Sequence, residues 1–148
     1  MNGLRTAVGF LTVFPVGTHM PSGTGLASAR GHFSLVGLML GALLYGINET
    51  LYAVFSPMVL GALLATALVV LTRALHVDGF IDSCDGLFGG YDRERRLEIF
   101  RDSRVGAFGA IGGVLLLLLK WTAIVSLPSN IRTSALVLFP CFPDGACW

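Results

Sequence analysis

Apolar and polar positions fall in long blocks along this chain rather than in short alternation. FSLVGLMLGALLYGINETLYAVF is apolar from Phe33 onward, PMVLGALLATALVVLTRAL repeats that character after Pro57, VGAFGAIGGVLLLLLKWTAIVSL does so after Arg104, and TSALVLFPCF opens a fourth block. A helix needs about 20 mainly apolar residues to cross the hydrocarbon of a bilayer. The pattern therefore predicts spans near 33–55, 57–75 and 105–127, with a partial one near 133–142.

Small residues at Gly37, Gly41 and Ala42 give the first block a close-packing face, since glycine and alanine let helix backbones approach. Pro57 suits the first turn of the second helix, where its missing N–H costs nothing. Lys120 can snorkel or pair, and Trp121 suits an interface or a helix seam.

The segment 76–104 is too polar to cross and too long for a turn. Glu94, Glu98 and Asp102 recur every four residues beside Leu97, Phe100 and Arg101, which predicts an amphipathic surface helix from Asp92 to Ser103. The N-terminal MNGLRTAVGFLTVFPVGTHM has one Arg, a short apolar stretch broken by Pro15, and no clean cleavage site; it is expected to be a retained amphipathic or re-entrant segment. The predicted fold is all-α: a polytopic membrane helix bundle forming one membrane domain over 1–148, with a charged loop and an amphipathic helix between spans.

Composition agrees. Only 13% of the residues are charged, against roughly 25% in an average soluble domain, and the mean hydropathy is +0.76. A net charge of +1 gives no global signature of a nucleic-acid partner. The charges are local: seven of the nine acids and five of the ten bases lie between His76 and Arg104. Those arginines are expected to put the loop on the cytoplasmic side of a membrane, by the positive-inside rule, with the spans in contact with lipid. Cys84, Cys141 and Cys147 form neither a disulfide framework nor a zinc motif, and Cys84 reads as a small packing residue.

Candidate chemistry concentrates in HVDGFIDSCDG, His76 to Gly86. Helical steps of four and three residues would bring Asp78, Asp82 and Asp85 onto one face. Neighbouring carboxylates repel, so either their protonation shifts or a cation compensates them. Oxygen donors at this density suit Mg²⁺ or Mn²⁺, which keep waters and bridge to substrate phosphates. The competing reading is a solvated loop whose acids pair with nearby arginines. DSRVGAFG adds weight to the first: Asp102 or Ser103 can cap the next helix, Gly106 and Gly109 allow close backbone approach, and Arg101 and Arg104 can clamp phosphate oxygens near a positive helix end. Interfacial anchoring is the alternative for each arginine. His76 could position a proton or a phosphate, or be a hydrogen-bonded structural residue.

These residues resemble the cobalamin synthases, the adenosylcobinamide-GDP ribazoletransferases. HVDGFIDSCDG is similar to the family's central signature, and RRLEIFRDSRVGAFG to its downstream Arg-rich pattern; FLTVFPV and FSLVGLMLG match more weakly. The similarity covers most of residues 5 to 139, as the N-terminal part of a longer family domain. Arg73 and Ala74 stand where members usually have small or glycine residues, Ser34 replaces a proline and Phe100 a methionine. The tail CFPDGACW resembles nothing in the family, as a frameshift, a premature stop or a deliberate truncation would produce.

What the resemblance implies is a Mg²⁺-dependent transfer. A hydroxyl of α-ribazole, or of its 5′-phosphate, attacks the cobinamide-linked phosphate of adenosylcobinamide-GDP and expels GMP. Asp78, Asp82 and Asp85 would hold the metal and act in catalysis, and His76, Arg101, Asp102, Ser103, Arg104 and Gly106 would bind substrate. A homo-oligomer is left open. The alternatives are another Mg²⁺-dependent membrane phosphotransferase of CDP-alcohol or polyprenyl-diphosphate type, an inactive fragment, and a small ion transporter.

Overall fold

The computed structural model describes residues 3–16, 29, 31–102, 104–138 and 140. Among them are seven helices: α1 (Gly3–Leu11), α2 (Phe33–Leu51), α3 (Pro57–Leu71), α4 (Leu75–Gly89), α5 (Arg93–Arg101), α6 (Ala107–Ser126) and α7 (Ser129–Leu138). The described residues contain no strand. Two helices, α2 and α6, are long and apolar enough to cross a membrane, and α3 with α4 makes a third if the bent pair counts as one broken span. Ile111, Val114, Leu115, Leu118 and Leu119 stay uncovered on α6, as hydrocarbon-facing side chains do.

Two buried clusters hold the helices together. One joins Ala7 of α1 to Val36 and Leu40 of α2; the other packs Leu44 of α2, Leu60 and Leu64 of α3, and Leu136 of α7. Gly41 lies in this second seam. A Cβ there would come within 2.6 Å of the Val137 carbonyl oxygen, so the α2–α7 crossing depends on having no side chain. Trp121 serves the seam between α3 and α6, its Nε1–H donating to the Met58 carbonyl at 3.0 Å.

The helices depart from the expected spans in informative ways. α2 stops at Leu51 rather than 55. α7 begins at Ser129 and lies against α2 over ten residues, too short to cross; residues 139, 141 and 142 of the expected partial span lie outside the described residues. The amphipathic helix runs from Arg93 to Arg101 with Asp92 as its cap, the Asp92 side chain accepting from the Arg95 N–H at 2.7 Å. The first half of the predicted loop is itself a helix, α4.

What turns α4 away from α3 is a break at Thr72–Ala74, after which the axis swings by 86°. The Ala74 N–H donates to Val69 O at 2.7 Å and the Arg73 N–H to Val70 O at 3.1 Å, the paired bonds of a Schellman helix end. Such an end places its next residue in the left-handed region, and here Arg73 has φ 53° and Ala74 φ 58°. Glycine is favoured there because a Cβ crowds the following carbonyl. This gives a physical reason for small or glycine residues at these positions in the resembling family.

Two outcomes follow. Arg73→Gly should stabilise the folded chain by about 1 kcal/mol through relief of that strain. Gly41→Ala should destabilise it by about 1–3 kcal/mol through overpacking, whereas Gly46→Ala, with open space around its Cβ position, should stay within about 0.5 kcal/mol. Unfolding of the three variants in one detergent measures all of this; equal stability of the two alanine variants would refute the close α2–α7 contact.

Candidate functional site

α4 carries the acids on two different surfaces. Asp78 and Asp82, one turn apart, are exposed, while Asp85 is buried with 7% of its surface accessible. The difference arises because α4 packs along the first turns of α6, where Gly106, Gly109, Gly112 and Gly113 present a side-chain-free face. A Cβ on Gly112 would meet Cys84 Sγ at 2.5 Å, one on Gly113 would meet Ile81 at 3.0 Å, and one on Gly106 or Gly109 would overlap the Asp85 carboxylate. Phe88 and Phe108 extend the contact, with ring centroids 6.0 Å apart.

Asp85 uses that proximity. The Gly106 N–H donates to its Oδ2 at 2.7 Å and the Gly109 N–H to its Oδ1 at 2.7 Å. Gly106 is the N-cap of α6 and supplies no capping side chain, so a carboxylate from another helix satisfies two otherwise unpaired amides at the positive end of the dipole. Among the described residues Asp102 does not cap α6, contrary to the expectation for it; Ser103 lies outside the described residues. Gly106, which the resemblance implies for substrate binding, has its amide bonded to Asp85.

Asp102 faces the other way, toward Arg104. The Arg104 guanidinium forks onto the Asp102 carboxylate, with Nε 3.1 Å from Oδ1 and Nη2 2.8 Å from Oδ2, and the Arg104 N–H adds a bond at 3.1 Å. These bonds hold the Asp102 carboxyl below the usual carboxylate range and push the Arg104 guanidinium up, in each case chiefly through the shared side-chain hydrogen bond. The pair is exposed and screened by salt, so it contributes little to stability. A lowered folded-state value means that this contribution is present above the ordinary carboxylate range and lost as pH falls through the folded value.

Around this centre, α5 packs onto the end of α4: Phe100 covers Gly86, and Arg96 Nε donates to the Gly90 carbonyl at 3.0 Å. Arg101 and Asp102 line a shallow depression on α5 with Glu94, Leu97 and Glu98. His76 is exposed in the first turn of α4, at the opposite end from Asp85. Arg104 lies two residues from Gly106, so its backbone is within about 7 Å of an amide bonded to Asp85. Asp82 and Asp78 sit about 4.5 and 10.5 Å back along the α4 axis from Asp85. The fold thus joins the acid helix to the arginine loop.

Among the described residues no group of three or more carboxylate, histidine or cysteine side chains is arranged to hold a metal. What α4 presents outward is a pair, Asp78 and Asp82. Gly112 and Gly113 escaped the reading of the sequence as part of this seam, although their spacing from Gly106 and Gly109 repeats the small-residue signal noted in the first block.

The sequence model of the cobalamin-5-phosphate synthase family matches residues 3–145. The chain belongs to that family. Its curated relatives include adenosylcobinamide-GDP ribazoletransferases from Desulforamulus reducens, 34% identical over 94% of this chain and 56% of theirs, and from Chlorobium phaeobacteroides, 45% identical over 86% and 50%. A third, from Pseudomonas fluorescens, is 43% identical over 95% of this chain and 58% of its own length. The chain therefore spans about half the length of the cobalamin-synthase relatives it matches. No solved structure matches it.

Arg104→Gln should let the Asp102 carboxyl rise back toward its ordinary value of 3.8. A carbon-detected carboxyl titration reads this directly, and high salt should move the parent protein part of the way. An unchanged Asp102 titration in the variant would show that the fork does not form in solution.

Proposed function

We propose that this chain carries the acidic and phosphate-facing half of a ribazoletransferase site. A hydroxyl of α-ribazole, or of its 5′-phosphate, displaces GMP from adenosylcobinamide-GDP to complete cobalamin. The observation that carries the reading is the Asp85 bridge, which fastens the HVDGFIDSCDG helix to the DSRVGAFG turn. Family membership supplies the reaction class, and the curated relatives bear that activity in their names.

The residues present fit Mg²⁺ in the way phosphoryl-transfer sites use it. Asp78 and Asp82 offer hard oxygen donors one turn apart, and no hydrogen bond or ion pair among the described residues ties either carboxylate. Two carboxylates leave coordination positions for water and phosphate oxygens. When bound, the ion would neutralise the diphosphate and the charge that builds on the departing GMP oxygen.

The chain's own residues do the rest. Arg104, oriented by Asp102, would hold a non-bridging phosphate oxygen, with Arg101 beside it on α5. Asp78 or Asp82 would accept the proton of the attacking hydroxyl, a task that needs a carboxylate open to substrate. His76, exposed in the first turn of α4, would contact the outer part of a substrate. The five arginines of 93–104 support a position of this face on the cytoplasmic side of the inner membrane by the positive-inside rule, where water-soluble substrates would meet lipid.

Asp82→Asn should lower GMP release from adenosylcobinamide-GDP, α-ribazole and Mg²⁺ by about 10³-fold or more while leaving membrane insertion intact. The assay runs on membranes holding this chain, beside a full-length relative with the matching substitution. Full activity of the substituted relative would remove the metal-site reading. Activity of the relative with silence from this chain would show that the further half found in the relatives is required.

A further inference from the structure

The three acids of α4 are alike in sequence but not in situation, and the difference assigns them different work. Each Asp85 oxygen accepts a backbone N–H of α6, the residue is buried, and the glycine backbone of α6 lies directly against the carboxylate. Asp78 and Asp82 are exposed on the same helix. An ion bound at Asp85 would compete with two charge-assisted hydrogen bonds for the same carboxylate, and drawing that carboxylate away would leave the buried Gly109 amide without its acceptor.

We infer that Asp85 is a positioning residue and not a metal ligand: it latches the acid helix to the turn that carries Arg104, so that the Asp78–Asp82 pair and the arginine address one diphosphate. This rests on the proposed function. The geometry gives the latch its direction. Gly106 and Gly109 are the first and fourth residues of the α6 end, so one carboxylate fixes that helix in rotation as well as in distance. Arg104 is two residues upstream of the nearer bond, and Asp82 is one turn from the carboxylate that makes it. Loosening Asp85 therefore changes the distance between cation clamp and acid pair without altering either.

Asparagine at this position has a single acceptor, and whichever way its amide turns, one N–H of α6 faces an NH₂. Gly106→Ala reaches the same end by another route, since its methyl occupies the carboxylate's place while Asp85 is kept.

The test uses the 148-residue chain in nanodiscs, with Mn²⁺ as the metal probe read by electron paramagnetic resonance and GDP as the diphosphate probe. Asp82→Asn should weaken Mn²⁺ alone by about tenfold or more. Asp85→Asn and Gly106→Ala should leave Mn²⁺ alone within about twofold, yet weaken GDP binding in the presence of Mn²⁺ by about fivefold or more. Both should speed deuterium uptake in the peptide around Val105–Ala110, with the helical content of the chain unchanged. Loss of Mn²⁺ affinity in Asp85→Asn equal to that in Asp82→Asn would overturn the inference and make Asp85 a ligand. Unchanged GDP binding in both latch variants would overturn it as well, leaving a helix cap. Failure of the parent chain to bind Mn²⁺ would instead overturn the metal reading of Asp78 and Asp82, and the division of labour with it.

Discussion

A helix begins with amide donors that its own hydrogen-bonding pattern cannot use, and those that packing covers need an acceptor from the protein itself. At the start of α6 two of these donors belong to Gly106 and Gly109, and the Asp85 carboxylate takes both. Much of the site's arrangement depends on that pairing. It sets the rotation of α4 about its axis, and so decides that Ile81, Cys84 and Asp85 face α6 while Asp78 and Asp82 face outward.

The pairing works only because its surroundings are small. Four glycines on α6 bring two helix backbones close enough for a short carboxylate to reach main-chain amides, and any larger residue at Gly106 or Gly109 would occupy the space of the acceptor itself. The break after α3 serves the same end from the other side. A Schellman end at Thr72–Ala74 swings α4 by 86° so that an acidic helix need not continue straight along an apolar one. The chain accepts left-handed backbone at Arg73 and Ala74, at some energetic cost, to make that turn.

The proposed site is divided between an acid pair on α4 and a basic turn before α6, with Asp85 bridging the two helices between them. Asp102 and Arg104 are held to each other, which keeps a guanidinium oriented at the surface rather than dispersed in solvent. That organisation suits a substrate whose charge lies in a diphosphate and whose bulk lies elsewhere, since positioning and charge neutralisation carry most of the work in such transfers.

The sequence by itself determined a great deal. Block hydropathy located α2, α3 and α6 because burial in lipid demands long apolar helices; Asp92 announced the start of α5; Pro57 announced that of α3; and the motifs pointed to the family. Helical steps also placed Asp78, Asp82 and Asp85 on one side of one helix, but a helix side can be shared between solvent and a neighbour. Which acid would turn inward was not legible, because it depends on where α6 lies, and that is set by glycines some twenty residues further on. The cap of α6 was expected from the adjacent loop and came instead from another helix, since hydrogen-bond demand is local while the acceptor that meets it is chosen by packing. The tertiary structure alone decided which carboxylate of the three would turn inward and take the amides of α6.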